Sequence, residues 1–155
     1  MPDIALKLGD EADTIPGFLL WQVSKLWQRR LTLALQDLQL ASTQAVILAN
    51  ALRFSEEGRQ VTHGMVSDAA KVDRMTTSQS LQSLEQKGYV TRVAAPGDKR
   101  SYLISLTPDG RRVAFAAIER LAATHRTFFK PLESQTAAVV GYLRKLIEAN
   151  EIHGD

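Results

Sequence analysis

The middle of the chain contains the stretch Leu84-Glu-Gln-Lys-Gly-Tyr-Val90, in which a helical run ends and an extended segment begins. Gly88 stands where a helix stops in the left-handed conformation, and an apolar residue follows it to close the cap. The segments Tyr89–Val93 and Ser101–Leu106 are rich in β-branched and aromatic residues, and Ala95-Pro-Gly-Asp-Lys-Arg100 between them supplies turn formers. The stretch therefore predicts a helix followed by a β-hairpin with a basic tip.

Two short helices are expected before this hairpin. Thr62 is a suitable N-cap for the first, and a brief break at Lys71–Asp73 leads into the second, which ends at Gly88. Ser42 and Thr43 offer an N-cap for an earlier helix that should end near Arg53–Phe54. A helix pair followed by a hairpin is the order of a winged helix, although two short helices with a tight turn occur in many folds.

A long amphipathic helix is predicted from Ile15 to Leu40, with apolar residues at spacings of three and four. One stripe consists of Leu20, Val23, Trp27, Leu31, Ala34 and Leu38, and a second apolar line of Leu19, Leu26 and Leu33. Apolar residues over so much of the circumference indicate two partners, the chain's own core and a second subunit. A thick single-chain bundle would give the same pattern.

Helix is expected to restart after the hairpin at Thr107-Pro108-Asp109, which supplies an N-cap, a first-turn proline and an acid. This helix runs to about Phe129, where Pro131 stops it. A final helix over Ser134–Ala149 has an apolar face consisting of Val139, Val140, Leu143, Leu146 and Ile147. The predicted fold is mainly α with a small β-hairpin wing: a winged helix-turn-helix at residues 41–111, flanked by helical regions 1–40 and 112–155.

Composition excludes several classes of protein. The 155 residues suffice for one domain, and the absence of cysteine excludes disulfides, thiolate zinc sites and thiol redox sensing. No apolar run approaches the ~20 residues of a membrane span. The first seventeen residues hold four acids and one lysine, the wrong charge for a secretory signal, so a cytoplasmic location is expected.

Basic residues are concentrated in the middle of the chain. Between Arg59 and Arg112, nine lysines and arginines face five acids, a charge of +4, whereas the rest of the chain carries −2. So small a surplus is equally consistent with scattered solvated charge.

With these motifs the chain resembles the MarR family of bacterial winged-helix transcription regulators. The resemblance covers nearly the whole chain, and its most specific part comprises Asp73-Arg74, Leu84–Val90, Arg92, Asp98-Lys-Arg100 and Leu106-Thr-Pro-Asp-Gly110. It implies that the terminal helices of two subunits form a dimerisation region, with one winged helix on each side. The implied function is binding of palindromic operator DNA, usually as a repressor relieved by a small ligand, with no cofactor.

In such a fold the helix from about Met75 to Lys87 enters the major groove. Helical spacing divides its side chains between the core and the DNA. The inward set is Thr77, Leu81 and Leu84, with Ser78 nearer the core side, and the outward set is Thr76, Gln79, Ser83 and Gln86, with Gln82 at the flank. Thr76 and Gln79 are expected to contact base edges and Met75 a thymine methyl. A merely solvated polar face is the alternative.

The hairpin supplies the second expected contact. Arg100 matches the arginine of the family's Asp-x-Arg motif, whose guanidinium reaches into the minor groove, and Asp98 would hold it in place. Lys99 and Arg92 are candidate phosphate contacts. The chain departs from the family at Gln79, where relatives often have a basic residue, and at Val93-Ala-Ala95, so a shallow salt dependence is expected.

Other functions find less support. Trp21, Trp27, Met65 and Phe115 are candidates by position for a pocket that takes a small aromatic acid, although such residues more often form core. His63, His125 and His153 lack zinc-binding spacing, and no catalytic motif is present, so neither a metal nor an enzyme is expected. The remaining alternative is a winged helix that binds another protein and ignores DNA.

Overall fold

The computed structural model describes residues 12–151, except for the side chains of Lys99 and Arg100. Its helices are α1 (Pro16–Leu35), α2 (Ser42–Glu56), α3 (His63–Ala70), α4 (Arg74–Gln86), α5 (Pro108–Phe129) and α6 (Thr136–Asn150), and its strands are β1 (Val61–Thr62), β2 (Val90–Ala95) and β3 (Asp98–Leu106). Short 3₁₀ segments lie at Ala12–Thr14, Gln36–Leu38 and Lys130–Gln135. None of these helices is long and apolar enough to cross a membrane. The mainly helical fold with a small antiparallel sheet confirms the predicted class.

Side-chain caps set the start of three helices. Thr62 Oγ1 accepts the Met65 N–H at 3.3 Å to begin α3, and Thr107 Oγ1 accepts the Gly110 N–H at 3.0 Å to begin α5. Both caps confirm the predictions from sequence. Asp73 begins α4 in the same way, since its Oδ1 accepts the Thr76 N–H at 2.8 Å.

The ends of α2 differ from the prediction. Its N-cap is Ala41 rather than Ser42 or Thr43, and the Ala41 N–H donates to Gln44 Oε1 at 3.2 Å. The side chain of a glutamine in the first turn therefore binds back to the N-cap N–H, whereas the expected capping hydroxyl would have accepted an N–H of the first turn. At the other end α2 continues to Glu56, past the expected stop at Arg53–Phe54, before Gly58 (φ +70°) ends the turn.

The sheet has three antiparallel strands in the order β1-β3-β2. β2 and β3 form the predicted hairpin, but its turn consists of Pro96 and Gly97 alone, because Asp98 already pairs with Ala95. The tip is thus shorter than the expected Ala95–Arg100 loop. β1 was not predicted, because two residues are too few to show the alternation of a strand. It pairs with β3, with Val61 opposite Ile104.

The core lies within the winged helix and the first half of α5. Its fully buried side chains include Leu35 at the end of α1, Ile47 and Leu48 in α2, and Leu81 and Leu84 in α4. From α5 it takes Val113, Ala114 and Ala117. With Val66 from α3, five helices and the sheet therefore enclose one apolar centre.

The terminal helices contribute little to that core. Only Leu31 and Leu35 of α1 are buried, and no residue of α6 is. The exposed large apolar side chains on these two helices are Leu19, Leu20, Trp21, Val23, Leu26 and Leu33 in α1 and Val140, Tyr142, Leu143, Leu146 and Ile147 in α6. The described residues do not form the single-chain bundle that would cover both predicted apolar faces.

A close backbone approach joins α5 to the segment that ends α4. A Cβ atom on Gly110 would lie 1.8 Å from the Tyr89 carbonyl oxygen and 2.7 Å from its carbonyl carbon. Thr107 holds the same segment, since its N–H donates to Tyr89 O at 3.1 Å and its hydroxyl donates to Gly88 O at 2.6 Å. The last residue of the Leu106–Gly110 motif is therefore glycine because any side chain would collide with backbone.

Gly110→Ala should unfold the protein more easily. Because the collision is with backbone atoms, α5 must shift. We expect the free energy of unfolding to fall by about 1–3 kcal/mol. Urea denaturation followed by circular dichroism measures it. The matched control is Gly141→Ala in α6, where no atom lies within 4 Å, and it should stabilise the helix by about 0.5–1 kcal/mol. A Gly110→Ala variant as stable as the wild type would contradict this account.

Candidate nucleic-acid interface

α4 presents one polar stripe to solvent. The exposed residues that form it are Met75, Ser78, Gln79, Gln82 and Gln86, which recur at spacings of three and four. Met75 is 73% exposed at the start of the helix. Arg74, which is exposed in the first turn of α4 four residues before Ser78, is the charged residue next to this polar stripe, and the stripe itself offers hydrogen bonds and apolar packing.

The opposite face of α4 packs into the core. Thr77, Ser80, Leu81 and Leu84 are buried, which confirms the predicted inward set. The Thr77 hydroxyl is fully buried and has no hydrogen-bond partner among the described residues.

Three residues of α4 lie elsewhere than expected. Ser78 is exposed within the polar stripe, so its expected place near the core is wrong. Thr76 and Ser83 are half-buried instead of projecting outward. The Thr76 hydroxyl donates to Asp73 Oδ2 at 2.6 Å, and Ser83 Oγ accepts from Gln44 Nε2 at 3.0 Å. Rotation of the helix by a fraction of a turn explains all three, because residues 76, 80 and 83 share the side that faces the rest of the winged helix.

Gln44 ties the end of α4 to the start of α2. Besides Ser83, it binds Lys87, whose Nζ donates to Gln44 Oε1 at 3.2 Å and to the Gln39 carbonyl at 2.6 Å. Gln39 has the left-handed conformation (φ 53°) at the bend between α1 and α2. The orientation of α4 is thus fixed at its C-terminal end by polar contacts that sequence analysis did not identify, since they join residues about forty positions apart.

Arg92, an expected phosphate contact, is half-buried and bound by other side chains of the protein. Its Nε and Nη2 donate to Glu85 Oε2 at 3.0 and 2.7 Å, and its guanidinium lies 5.7 Å from the centre of the Tyr102 ring. Glu85 belongs to α4, so this pair links that helix to the wing. No local spacing in the sequence signals it, because the helix end and the turn at Gly88 intervene.

The rest of the wing is partly described. Asp98 begins β3 at the exposed end of the hairpin, opposite Ala95. The roles expected of Lys99 and Arg100 depend on side chains that lie outside the described residues, although their backbone belongs to β3. The hairpin places these two positions beside the turn at Pro96 and Gly97.

The four expected pocket residues are not brought together. Trp27 packs edge-on against Phe128 with ring centres 5.1 Å apart, while Trp21 and Phe115 are exposed. Met65 packs against the core. The structure instead has a cavity of about 630 Å³ between α1 and α5. Its lining is largely apolar, with Leu26, Leu33 and Phe128, and includes the guanidinium-bearing side chains Arg30 and Arg120.

The part of the chain that the structure describes contains no candidate metal site. No three His, Asp or Glu side chains are grouped there so as to hold an ion.

The Asp73 cap has an electrostatic consequence. The hydrogen bonds that its carboxylate accepts from the Thr76 hydroxyl and N–H lower the pKa of Asp73, because they favour the charged form. A carboxyl whose pKa is lower in the folded than in the unfolded protein stabilises the fold at neutral pH, and loses that contribution as the pH falls through the folded pKa.

Asp73→Ala should therefore lower the melting temperature at pH 7 and at pH 5. The deficit relative to wild type should begin to shrink below about pH 4, where the aspartate of the unfolded chain becomes protonated, and should shrink further as the pH falls through the lower pKa of folded Asp73. Thermal denaturation at several pH values measures it. Asp68→Ala removes an exposed aspartate outside the cap and controls for the loss of one charge. A deficit that is the same at pH 7 and pH 3 would show that the charge of the cap is unimportant.

Comparison with known proteins gives the family. The family model described as "MarR family" matches residues 38–101. Among curated proteins, the HTH-type transcriptional regulator YdcH of Bacillus subtilis is 34% identical over 117 residues, which cover 76% of this chain and 80% of that protein.

Solved structures share the fold. The Staphylococcus aureus MepR–DNA complex superposes with a TM-score of 0.78 at 20% identity, covering 87% of this chain and 98% of that one. CouR of Rhodococcus jostii RHA1, bound to p-coumaroyl-CoA, gives 0.70 at 24% identity and covers 95% and 100%. The family model and the similarity to YdcH together show that the chain belongs to the MarR family, whose members are transcriptional regulators and not enzymes.

Proposed function

We propose that this DNA-binding regulator recognises a palindromic operator as a homodimer, and represses transcription until a small ligand releases it. The observation that carries the proposal is the polar stripe on α4, flanked by the wing. A helix of thirteen residues is about 20 Å long, which suits insertion into the major groove. Because its proposed target is DNA, the protein acts in the cytoplasm in this proposal.

Base recognition is assigned to the polar stripe. Gln79 and Gln82 carry amides that pair in two-point fashion with adenine, and Met75 offers an apolar contact to a thymine methyl. Ser78 adds a hydroxyl that accepts or donates. Thr76 and Ser83, engaged with Asp73 and Gln44, support the helix and make no base contact in this proposal.

The wing supplies the minor-groove contact in this proposal. Arg100 enters the groove beside the half-site, Asp98 orients it, and Lys99 contacts a phosphate. The support is their position at the exposed end of the hairpin and the match to the family's Asp-x-Arg motif.

Dimerisation is assigned to residues 1–40 and 112–155, with residues 41–111 as the DNA-binding part. The support is the exposed apolar face on α1 and α6, since monomeric proteins rarely leave so many large apolar side chains in water. A two-fold dimer binds inverted half-sites about one helical turn apart, which accounts for a palindromic operator.

The effector is proposed to be a small aromatic acid in the cavity between α1 and α5. The volume of about 630 Å³ is within the range of small-molecule sites. CouR shares the fold and holds a thioester of an aromatic acid. Phe128 offers a ring surface, and Arg30 and Arg120 offer positive charge to a carboxylate, although Arg120 also pairs with Asp37. Trp27 packs against Phe128 behind this cavity, and Trp21, Met65 and Phe115 are not among its lining residues.

Specific DNA binding should depend on Gln79. Fluorescence anisotropy compares a duplex from upstream of the protein's own gene with a scrambled duplex, at two salt concentrations. Gln79→Ala should weaken binding to the first by about 1–3 kcal/mol, because a base-edge contact is lost, and leave binding to the scrambled duplex unchanged. Gln60→Ala, at an exposed loop position outside α4, is the matched control and should behave as wild type.

Other outcomes of this experiment are equally clear. Equal and weak binding of the wild type to both duplexes would favour a winged helix that contacts a protein. Tight, sequence-dependent binding that Gln79→Ala does not weaken would retain the regulator and remove Gln79 from the set of base-contacting residues.

Charge on the apolar face of α6 should separate the subunits. Leu146 is exposed in the single chain, so Leu146→Glu leaves the monomer fold intact but places a carboxylate where the partner's apolar surface would lie. Light scattering after size exclusion should give twice the chain mass for the wild type and the chain mass for the variant. Lys145→Glu, on the other side of α6, should remain dimeric. A monomeric wild type would overturn the dimer.

A further inference from the structure

The pair formed by Arg92 and Glu85 bridges the two elements that are proposed to contact DNA. Glu85 lies near the C-terminal end of α4, and Arg92 is the third residue of β2. Two guanidinium nitrogens, Nε and Nη2, donate to the same carboxylate oxygen, Oε2, at 3.0 and 2.7 Å. Two donors on one rigid fork restrict the angle between helix and strand more than a single contact would.

Burial and stacking strengthen this link. The side chain of Arg92 is 22% exposed and that of Glu85 is 38% exposed, so solvent screens the pair less than it screens the surface pairs elsewhere in the chain. The Arg92 guanidinium also lies near the ring of Tyr102 on β3, so both strands of the hairpin contribute to its placement. A guanidinium so engaged is not available as a flexible phosphate contact.

We propose that Arg92 is a positioning residue for DNA recognition. With Glu85 and Tyr102, it holds the wing at a fixed orientation to α4, so that the wing reaches the minor groove while the polar stripe occupies the major groove. The proposal rests on the proposed function, and it replaces the phosphate contact expected from sequence.

A positioning role and a phosphate contact predict different measurements. Loss of a phosphate contact weakens binding to every sequence and lowers the slope of log affinity against log salt by about 0.9 per contact. If the wing loses its fixed orientation, the slope of log affinity against log salt should stay the same. The protein should then no longer prefer particular base pairs at the positions that the wing contacts. Discrimination within the major groove, which the polar stripe supplies, should remain.

The probe is the duplex that the wild-type protein selects from a pool of random sequences. Two derivatives are made from it: one with the A·T pairs that flank each half-site changed to G·C, and one with a base pair changed inside the half-site. Anisotropy gives the affinity of each variant for the three duplexes at four salt concentrations. In the wild type both derivatives should bind more weakly than the selected duplex.

Arg92→Ala should reduce the flank preference by about tenfold, the scale of one lost base-edge contact, and retain both the half-site preference and the salt slope. Glu85→Ala removes the oxygen that accepts both hydrogen bonds and should act in the same direction. The double variant should lose no more than Arg92→Ala alone, because the two residues act as one unit. The matched control is Arg53→Ala, which removes an arginine that likewise pairs with a glutamate, Glu57, and stacks on a ring, that of Phe54, but lies on α2. It should leave the flank preference unchanged.

Thermal denaturation of each variant shows whether it is folded. If Arg92→Ala does not fold, Glu85→Ala alone decides the question. The proposal is overturned if the folded variants weaken all three duplexes equally with a smaller salt slope, if Glu85→Ala keeps the full flank preference, or if the wild type shows no flank preference. A wild-type protein that selects no duplex at all would instead overturn the proposed function itself.

Discussion

The contact on which the rest of the structure depends is the approach of Gly110 to the Tyr89 carbonyl. It places the first turn of α5 directly on the backbone that ends α4 and begins β2. Three elements meet at this contact: α4 with its polar stripe, the wing, and α5, which leads to the terminal helices. A side chain at position 110 would move all three relative to one another, because the obstacle is backbone and cannot rotate away.

α5 extends this constraint away from the winged helix. Its first half packs in the core through Val113, Ala114 and Ala117, and its second half lies beside α1, where Trp27 meets Phe128 and Phe129. The cavity with Arg30 and Arg120 is formed between these same two helices. A change in their separation therefore acts on a rigid element whose other end touches Tyr89, and in the proposed function this is the physical route from ligand to DNA.

The sequence predicts the structure correctly where a local signal decides it. The caps at Thr62 and Thr107, the stop at Gly88 and the hairpin each depend on residues within a few positions, and all were predicted. Prediction is less accurate where distant residues decide. Ser78 is exposed and Ser83 is half-buried, the reverse of the prediction, because the packing of α4 against α2, through Gln44, sets the rotation of the helix. β1 is a strand because β3 lies beside it, and Arg92 is enclosed by partners from α4 and β3.

Many of the basic residues between Arg59 and Arg112 have acidic or polar partners in the structure. Arg59, Arg92, Arg111 and Arg112 pair with Glu57, Glu85, Glu56 and Asp109, and Lys87 binds carbonyl and amide oxygens. Five of the nine basic residues thus have polar partners within the protein, and Arg74 is exposed at the start of α4. In the proposed function, sequence preference depends on the fit of amides, hydroxyls and a methionine to base edges. Such a fit requires a helix and wing of fixed orientation, and the half-buried pair of Arg92 with Glu85 supplies that orientation in the further proposal, whereas the other arginine pairs of this region are exposed and contribute less to stability.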